Sequence, residues 1–415
     1  VSGPSTRRSF VALIASNVLG GVGVASGIAV GSLLVVSLSS VAFAGLGQAL
    51  SVFGAGLMAV PLAGLAARRG RRPALALGYG VALLGAAVII LGAALGCLPV
   101  LFAGLLAFGA AQATNLQTRY AASELAGTER RGTWMSMVLW ATTIGSVAGP
   151  NLSAAGGQLG SAVGLPALAG PYFFSLAAFA AAAAAVLLLL ARRPAAAATQ
   201  VTSAAPISAL AALGWSARHP VARFAVALIV VAHAVMVGIM SMTPVHLGNG
   251  GHGLGVIGLV ISLHILGMYA LSPVFGALAD RSGPMRTALV GLVTLGASAA
   301  LAFLARDSLL AIIFALVLLG LGWSASIISG SVLLADVDSG AVRVPLQGAT
   351  DALMSYGGGA SAMTAGVLLA AIGYGGLALV AGALIIPAAA LGWVANRSRR
   401  VPSRGASAGE PHVKS

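Results

Sequence analysis

Apolar runs of eighteen or more residues recur along the whole chain. No other feature constrains the fold as strongly. A run of that length can cross a bilayer as a helix. In hydrocarbon every backbone polar group must be satisfied within the protein, so a spanning chain is helical or a closed barrel. The runs are continuous rather than alternating with period two, which excludes a barrel. Charged residues make up 7% of the 415 residues, where a soluble domain carries about 25%. The pattern predicts an all-α membrane protein of twelve transmembrane helices. They fall near 9–33, 40–66, 72–94, 97–119, 131–157, 168–191, 220–246, 254–279, 285–305, 308–335, 343–372 and 375–396, and are called spans 1 to 12. The longest exceed the bilayer's need, which predicts tilt or kinking.

The net charge of +14 raises the question of a nucleic-acid partner. Its distribution answers it. Arg7 and Arg8 precede span 1, four arginines from Arg68 to Arg72 separate spans 2 and 3, and Arg119, Arg130 and Arg131 flank the turn between spans 4 and 5. Arg192, Arg193, Arg218 and Arg223 surround the link between spans 6 and 7. Arg281, Arg286 and Arg343 occupy later turns, and the remainder follow span 12. With twelve spans all of these fall on one side, and Arg306 alone falls opposite, beside Asp307. This is the positive-inside distribution. It predicts a multi-pass protein of the inner (cytoplasmic) membrane with both termini cytoplasmic, the lipid bilayer as its partner, and no nucleic acid. Arg7-Arg8 before a long apolar run reads as an uncleaved first span. Cys97 is the single cysteine, so no intrachain disulfide forms.

An Ala/Ser/Thr/Pro-rich stretch divides the chain into a bundle of six helices at 1–191, a cytoplasmic linker at 192–219, a second six-helix bundle at 220–396, and a polar tail at 397–415 expected to be disordered. The halves echo each other. Ala63 to Pro73 reads AGLAARRGRRP, and Phe275 to Pro284 reads FGALADRSGP. Both follow G-x-L-A-D-R-x-G. This resembles the cytoplasmic gate motif of the major facilitator superfamily. The second copy is complete, with Gly276, Asp280, Arg281 and Gly283. The first keeps Arg68, Gly70 and Arg71 but carries Ala63 and Ala67 at the glycine and aspartate. The resemblance implies two bundles rocking about a midplane site. The glycine permits close helix contact, and the aspartate can receive a helix dipole or an arginine. Its loss from the first copy leaves that half of the gate's charge pairing unaccounted for.

No Walker loop, HExxH, nucleophilic cysteine or intraspan carboxylate pair is present, which argues against an enzyme. Of eight acidic residues, only Asp351, in QGATDALMSYGGG, falls inside a span. Two readings stand: a proton-coupling carboxylate, or an interfacial one paired with Arg343 or backbone. In span 5, Gly145-x-x-x-Gly149-Pro150 partly resembles the glycine-proline motif of proton-coupled drug exporters, and is equally a helix-packing motif.

Four of ten methionines and four of six histidines fall within 233–268. Span 7 holds Met236-x-x-x-Met240 and span 8 holds His264-x-x-x-Met268, each pair on one helix face. Met236 and His264 lie equally far from the turn near residue 250, roughly 15 Å inside the bilayer at ~1.5 Å per residue. Thioethers and imidazole suit Cu(I), while zinc would call for cysteine or carboxylate. Methionine is also a core gap-filler. The pattern resembles the CcoA-type copper importers, a major facilitator branch linked to cytochrome oxidase assembly. That resemblance implies Met236, Met240, His264 and Met268 as metal ligands. His233, Met242, His246 and His252 are candidate relay residues, Met135 and Met137 candidate receivers on the inner side, and Asn17 and Asn115 candidate cavity residues. The expectation is a monomeric transporter that imports copper, holds no permanent cofactor, and delivers to a cytoplasmic copper acceptor. The alternative is proton-coupled efflux of small hydrophobic compounds or drugs.

Overall fold

The computed structural model describes residues 4–39, 44–191, 207–252, 254–337 and 340–400. All regular structure among them is helical. The first half comprises α1 (Pro4–Leu38), α2 (Ala44–Arg69), α3 (Arg71–Leu95), α4 (Leu98–Phe108), α5 (Ala110–Leu125), α6 (Arg131–Asn151), α7 (Ser153–Ala162) and α8 (Pro171–Leu189). The second comprises α9 (Ala209–Arg218), α10 (Pro220–Asn249), α11 (Leu254–Tyr269), α12 (Ser272–Ser282), α13 (Pro284–Leu304), α14 (Leu309–Ala335), α15 (Gly340–Ala383) and α16 (Ile385–Arg400).

Ten of the helical stretches are long and apolar enough to cross a membrane. The predicted spans map onto the helices closely, with local breaks. α4 and α5 together serve span 4, α6 and α7 span 5, and α11 and α12 span 8. α15 contains a non-helical residue, Gly373, at φ 70° and ψ 177°. Only glycine adopts that conformation without strain, and it falls between spans 11 and 12.

Each half has its own apolar core. One cluster is drawn from residues 12–190; the other comes almost wholly from 212–395. Small residues bring the helices of each half together. An added Cβ at Gly145 would lie 2.6 Å from the Val22 nitrogen, and one at Gly149 would lie 2.4 Å from the Ala25 Cβ. These glycines therefore seat α6 on α1, which is the packing role.

Two helix pairs carry most of the contact between the halves: α2 with α15, and α6 with α12. They occupy equivalent positions in the repeat. The sequence echo extends to the backbone. Gly70 (φ 89°) and Gly283 (φ 91°) cap the starts of α3 and α13 in the same left-handed region.

The stretch expected as linker contains an ordered helix, α9, which packs on α15 and α10. α16 continues to Arg400, with the Arg397 guanidinium 3.7 Å from the Trp393 ring centroid. The rest of the linker, 192–206, and of the tail, 401–415, lies outside the described residues.

Candidate functional site

Several polar contacts join the two halves among the described residues, including Ser272 Oγ donating to Ser136 O at 3.0 Å, and four of them lie toward the arginine-rich end. Asp280, at the last turn of α12, meets the start of α6. Its Oδ1 accepts from Gly132 N at 2.7 Å, and its Oδ2 accepts from Thr133 N at 2.8 Å and Thr133 Oγ1 at 2.6 Å. A helix leaves its first N–H groups without internal partners and presents partial positive charge there, so a carboxylate is the favoured cap. Gly276 makes the approach possible: an added Cβ would lie 2.1 Å from Ser136 Oγ and 2.5 Å from Gly132 O. The motif aspartate thus takes a helix terminus rather than an arginine. Arg281 and Arg68 are exposed.

The first copy of the motif lacks that aspartate and is completed differently. Arg71, 8% exposed, donates to Glu124 Oε1 at 2.8 Å and, across the halves, to Gln347 Oε1 at 2.8 Å. The missing glycine is supplied from the other side. Gly348 of α15 faces Ala63, whose methyl would lie 2.2 Å from any Cβ at 348. A further ion pair, Arg131 to Asp336 at 2.5 Å, closes the same end.

Deeper in the bundle, Arg119 Nη2 donates to Asp351 Oδ1 at 2.5 Å, with side-chain exposures of 0% and 1%. Arg119 also donates to the Tyr120 hydroxyl at 3.1 Å, and its guanidinium carbon lies 4.6 Å from the Tyr120 ring centroid. Arg119 belongs to α5 and Asp351 to α15, so the pair links the two halves. Asp351 Oδ2 and Arg119 Nε and Nη1 make no hydrogen bond among the described residues. The sequence reading placed Arg119 at the flank of a turn. It is fully buried, because the helix continues to Leu125. Of the two partners foreseen for Asp351, Arg343 is not the one it meets.

The methionine and histidine residues have several different surroundings. Met236 and Met268 belong to one buried apolar cluster, against which Met240 packs. α14 packs against both α10 and α11, whose contact with each other is slight. His264 is fully buried. Its Nδ1 donates to Leu316 O of α14 at 2.7 Å, while Nε2 makes no hydrogen bond among the described residues. His233 accepts from Trp323 Nε1 at 3.1 Å through Nδ1. His246 stacks on Tyr374, with ring centroids 4.3 Å apart, and its Nε2 lies 2.8 Å from Arg306 O. His252 and Met242 are partly buried, and the Met242 sulfur lies 3.9 Å from a Cβ built at Gly366.

Met135 is buried with Tyr120, Val332 and Ala335 between the halves, whereas Met137 is exposed. Asn17 is a buried cross-link. Its amide donates to Thr118 Oγ1 at 3.1 Å and Val138 O at 2.9 Å, and its oxygen accepts from Thr142 at 3.3 Å. Asn115 accepts from the Tyr79 hydroxyl at 2.9 Å. Both asparagines have structural partners. Two aromatic pairs went unnoticed in the sequence, one within the second half and one across the halves. Tyr269 meets Trp323 edge-on at 5.7 Å, and Phe53 lies 6.1 Å from Tyr356. Their signal in the sequence was scarcity: aromatics make up 6% of the chain.

Two pseudo-equivalent helical halves, joined at one end by capped helices and ion pairs, are the arrangement expected of a membrane carrier. Comparison with known proteins makes the class specific. The Major Facilitator Superfamily model matches residues 251–414. The uncharacterized MFS-type transporters YddS and YdeG of Bacillus subtilis are each 37% identical. The alignments cover 89% of this chain and 86% of YddS, and 91% of this chain and 89% of YdeG. The riboflavin transporter RfnT of Brucella anthropi is 29% identical over 89% of this chain and 91% of its own length. Among solved structures, the Escherichia coli fucose:proton symporter FucP superposes with TM-score 0.74 at 17% identity, covering 96% of this chain and 100% of its own. Human MFSD10 superposes with TM-score 0.73 at 16% identity, covering 94% and 100%. The chain belongs to the major facilitator superfamily. It is a transporter, not an enzyme.

Proposed function

We propose that the protein is a proton-coupled secondary transporter of small, largely apolar or aromatic organic solutes. In this reading the chain crosses the cytoplasmic membrane twelve times, in two six-helix bundles with both termini inside. The Arg119–Asp351 pair carries the reading. A buried ion pair is held by mutual attraction against a large desolvation cost, and removing one charge undoes it. Proton uptake by Asp351 removes the attraction that ties α5 to α15 and favours opening at the arginine-rich end; proton release favours closure. The aromatic pair across the halves, Phe53 and Tyr356, suits a planar or apolar cargo, and the name of RfnT fits that class.

The test uses proteoliposomes with an imposed proton gradient and labelled riboflavin or a lipophilic cationic dye. Gradient-dependent movement by the native protein, lost in Asp351→Asn while substrate exchange without a gradient survives, is the expected result. Movement that ignores the gradient, or an Asp351→Asn variant that still accumulates cargo, would overturn it.

One observation favours copper import as a second reading. His264 Nε2 is buried, carries a lone pair when Nδ1 is protonated, and has no hydrogen-bond partner among the described residues. It stands one helical turn from Met268. Copper uptake by cells expressing the native protein, lost in His264→Ala at equal membrane level, is what this reading requires. Equal uptake by the two would end it.

A further inference from the structure

The closed end contains a cavity of about 910 Å³. Its walls come from both halves: the α2–α3 turn, the end of α5 and the end of α8 on one side, and Ala335 with the first turns of α15 on the other. Five arginines line it, Arg69, Arg71, Arg72, Arg131 and Arg343, against one carboxylate, Glu124. Glu124 is taken by Arg71 and Asp336 takes Arg131. Arg69, Arg72 and Arg343 form no ion pair among the described residues; Asp338 lies outside them. Arg72 donates to the Leu187 carbonyl through Nη2. Arg71 Nη1 and Arg72 Nε are buried and make no hydrogen bond among the described residues.

Buried guanidinium donors without acceptors are costly. They are also the groups that bind phosphate best, through planar paired N–H donors. The volume suits a small molecule. We infer that this cavity is an anion site for a phosphate-bearing ligand, and that its occupation holds the inner end closed. The second part follows from the walls. Arg71 and Arg72 come from one half and Arg343 from the other, so the complete site exists only while the halves are together. A ligand that binds one state better shifts the population toward it. This inference is independent of the cargo. The phosphate could be that of a soluble metabolite or of a lipid headgroup reaching in from the inner leaflet.

The experiment uses the full chain in nanodiscs and inorganic pyrophosphate as the soluble probe. In discs of phosphatidylcholine alone, calorimetry is expected to give saturable pyrophosphate binding. The combined Arg69→Gln and Arg343→Gln variant is expected to bind at least about tenfold more weakly, since charge-assisted bonds are lost. Those two arginines make no side-chain bond among the described residues, so the variant leaves the gate's own contacts in place. In a second arm, discs containing phosphatidylglycerol are compared with phosphatidylcholine discs. Lipid co-purified through detergent and lost in the double variant would assign the site to a headgroup. In either arm, ligand should slow thiol labelling of an Ala335→Cys reporter from the cytoplasmic side. Absence of binding in both arms, or binding that the double variant leaves unchanged, would overturn the inference. So would binding that leaves the labelling rate unchanged.

Discussion

At the scale of single residues, the Arg119–Asp351 pair sets the clearest expectation. Removing one partner of a buried pair leaves the other charge uncompensated, at a cost of about 3–5 kcal/mol. Arg119→Gln alone and Asp351→Asn alone should each lower the thermal midpoint in detergent. The double variant should be more stable than either single one, because no charge is left stranded. A double variant as unstable as the worse single one would contradict the direct pairing. Asp351 was legible in the sequence as the one acidic residue inside an apolar run. Its partner was not. Arg119 sits near a turn by count, and the polar stretch ATNLQTRYAASEL hides the fact that the helix runs on to Leu125. The surroundings of His264 were not legible for a related reason. Equal depth of Met236 and His264 follows from counting along two helices, but the count says nothing of a third helix packed against both. α14 takes the His264 N–H.

At the scale of helices, the gate depends on the start of α6 being brought against the end of α12. Asp280→Ala would strand the N–H groups of Gly132 and Thr133, a loss of about 1–2 kcal/mol by analogy with helix caps. That corresponds to a shift of roughly 5–30-fold toward the opened inner end. Gly276→Val should act in the same direction, because its side chain would meet the backbone of Gly132. Both are checked by the labelling rate of Ala335→Cys in a Cys97→Ser background, with a membrane-impermeant maleimide reaching the cytoplasmic face in inside-out vesicles. Faster labelling in both variants is expected; unchanged rates would show that the contact does not hold the gate. The second motif copy was readable because it is complete. The completion of the first by Glu124, Gln347 and Gly348 was not, because these lie far from Arg71 and Ala63 in sequence and meet them only through tertiary packing.

At the scale of the whole molecule, arginine placement predicts how the chain is oriented. Peptide tags at either end should resist protease in spheroplasts and be cut in inside-out vesicles; cleavage of one tag in spheroplasts would require an odd number of crossings. The helices were legible almost to their ends, ten stretches of them long and apolar enough to cross a membrane, since length and hydropathy are local properties. The closed inner end was not, because it depends on contacts between halves rather than on any one helix. The two sides of that closure also differ in how they can be lost through drift. The contact of Arg71 with Glu124 and Gln347 is written in three codons, and change at any one weakens it. The Asp280 contact reaches mainly main-chain N–H groups, which almost every residue supplies. At position 133, substitutions other than proline should keep the backbone donor and lose only the hydroxyl contact. Heritable failure on that side is therefore concentrated at Asp280 and at the two glycines, Gly132 and Gly276, that let it approach.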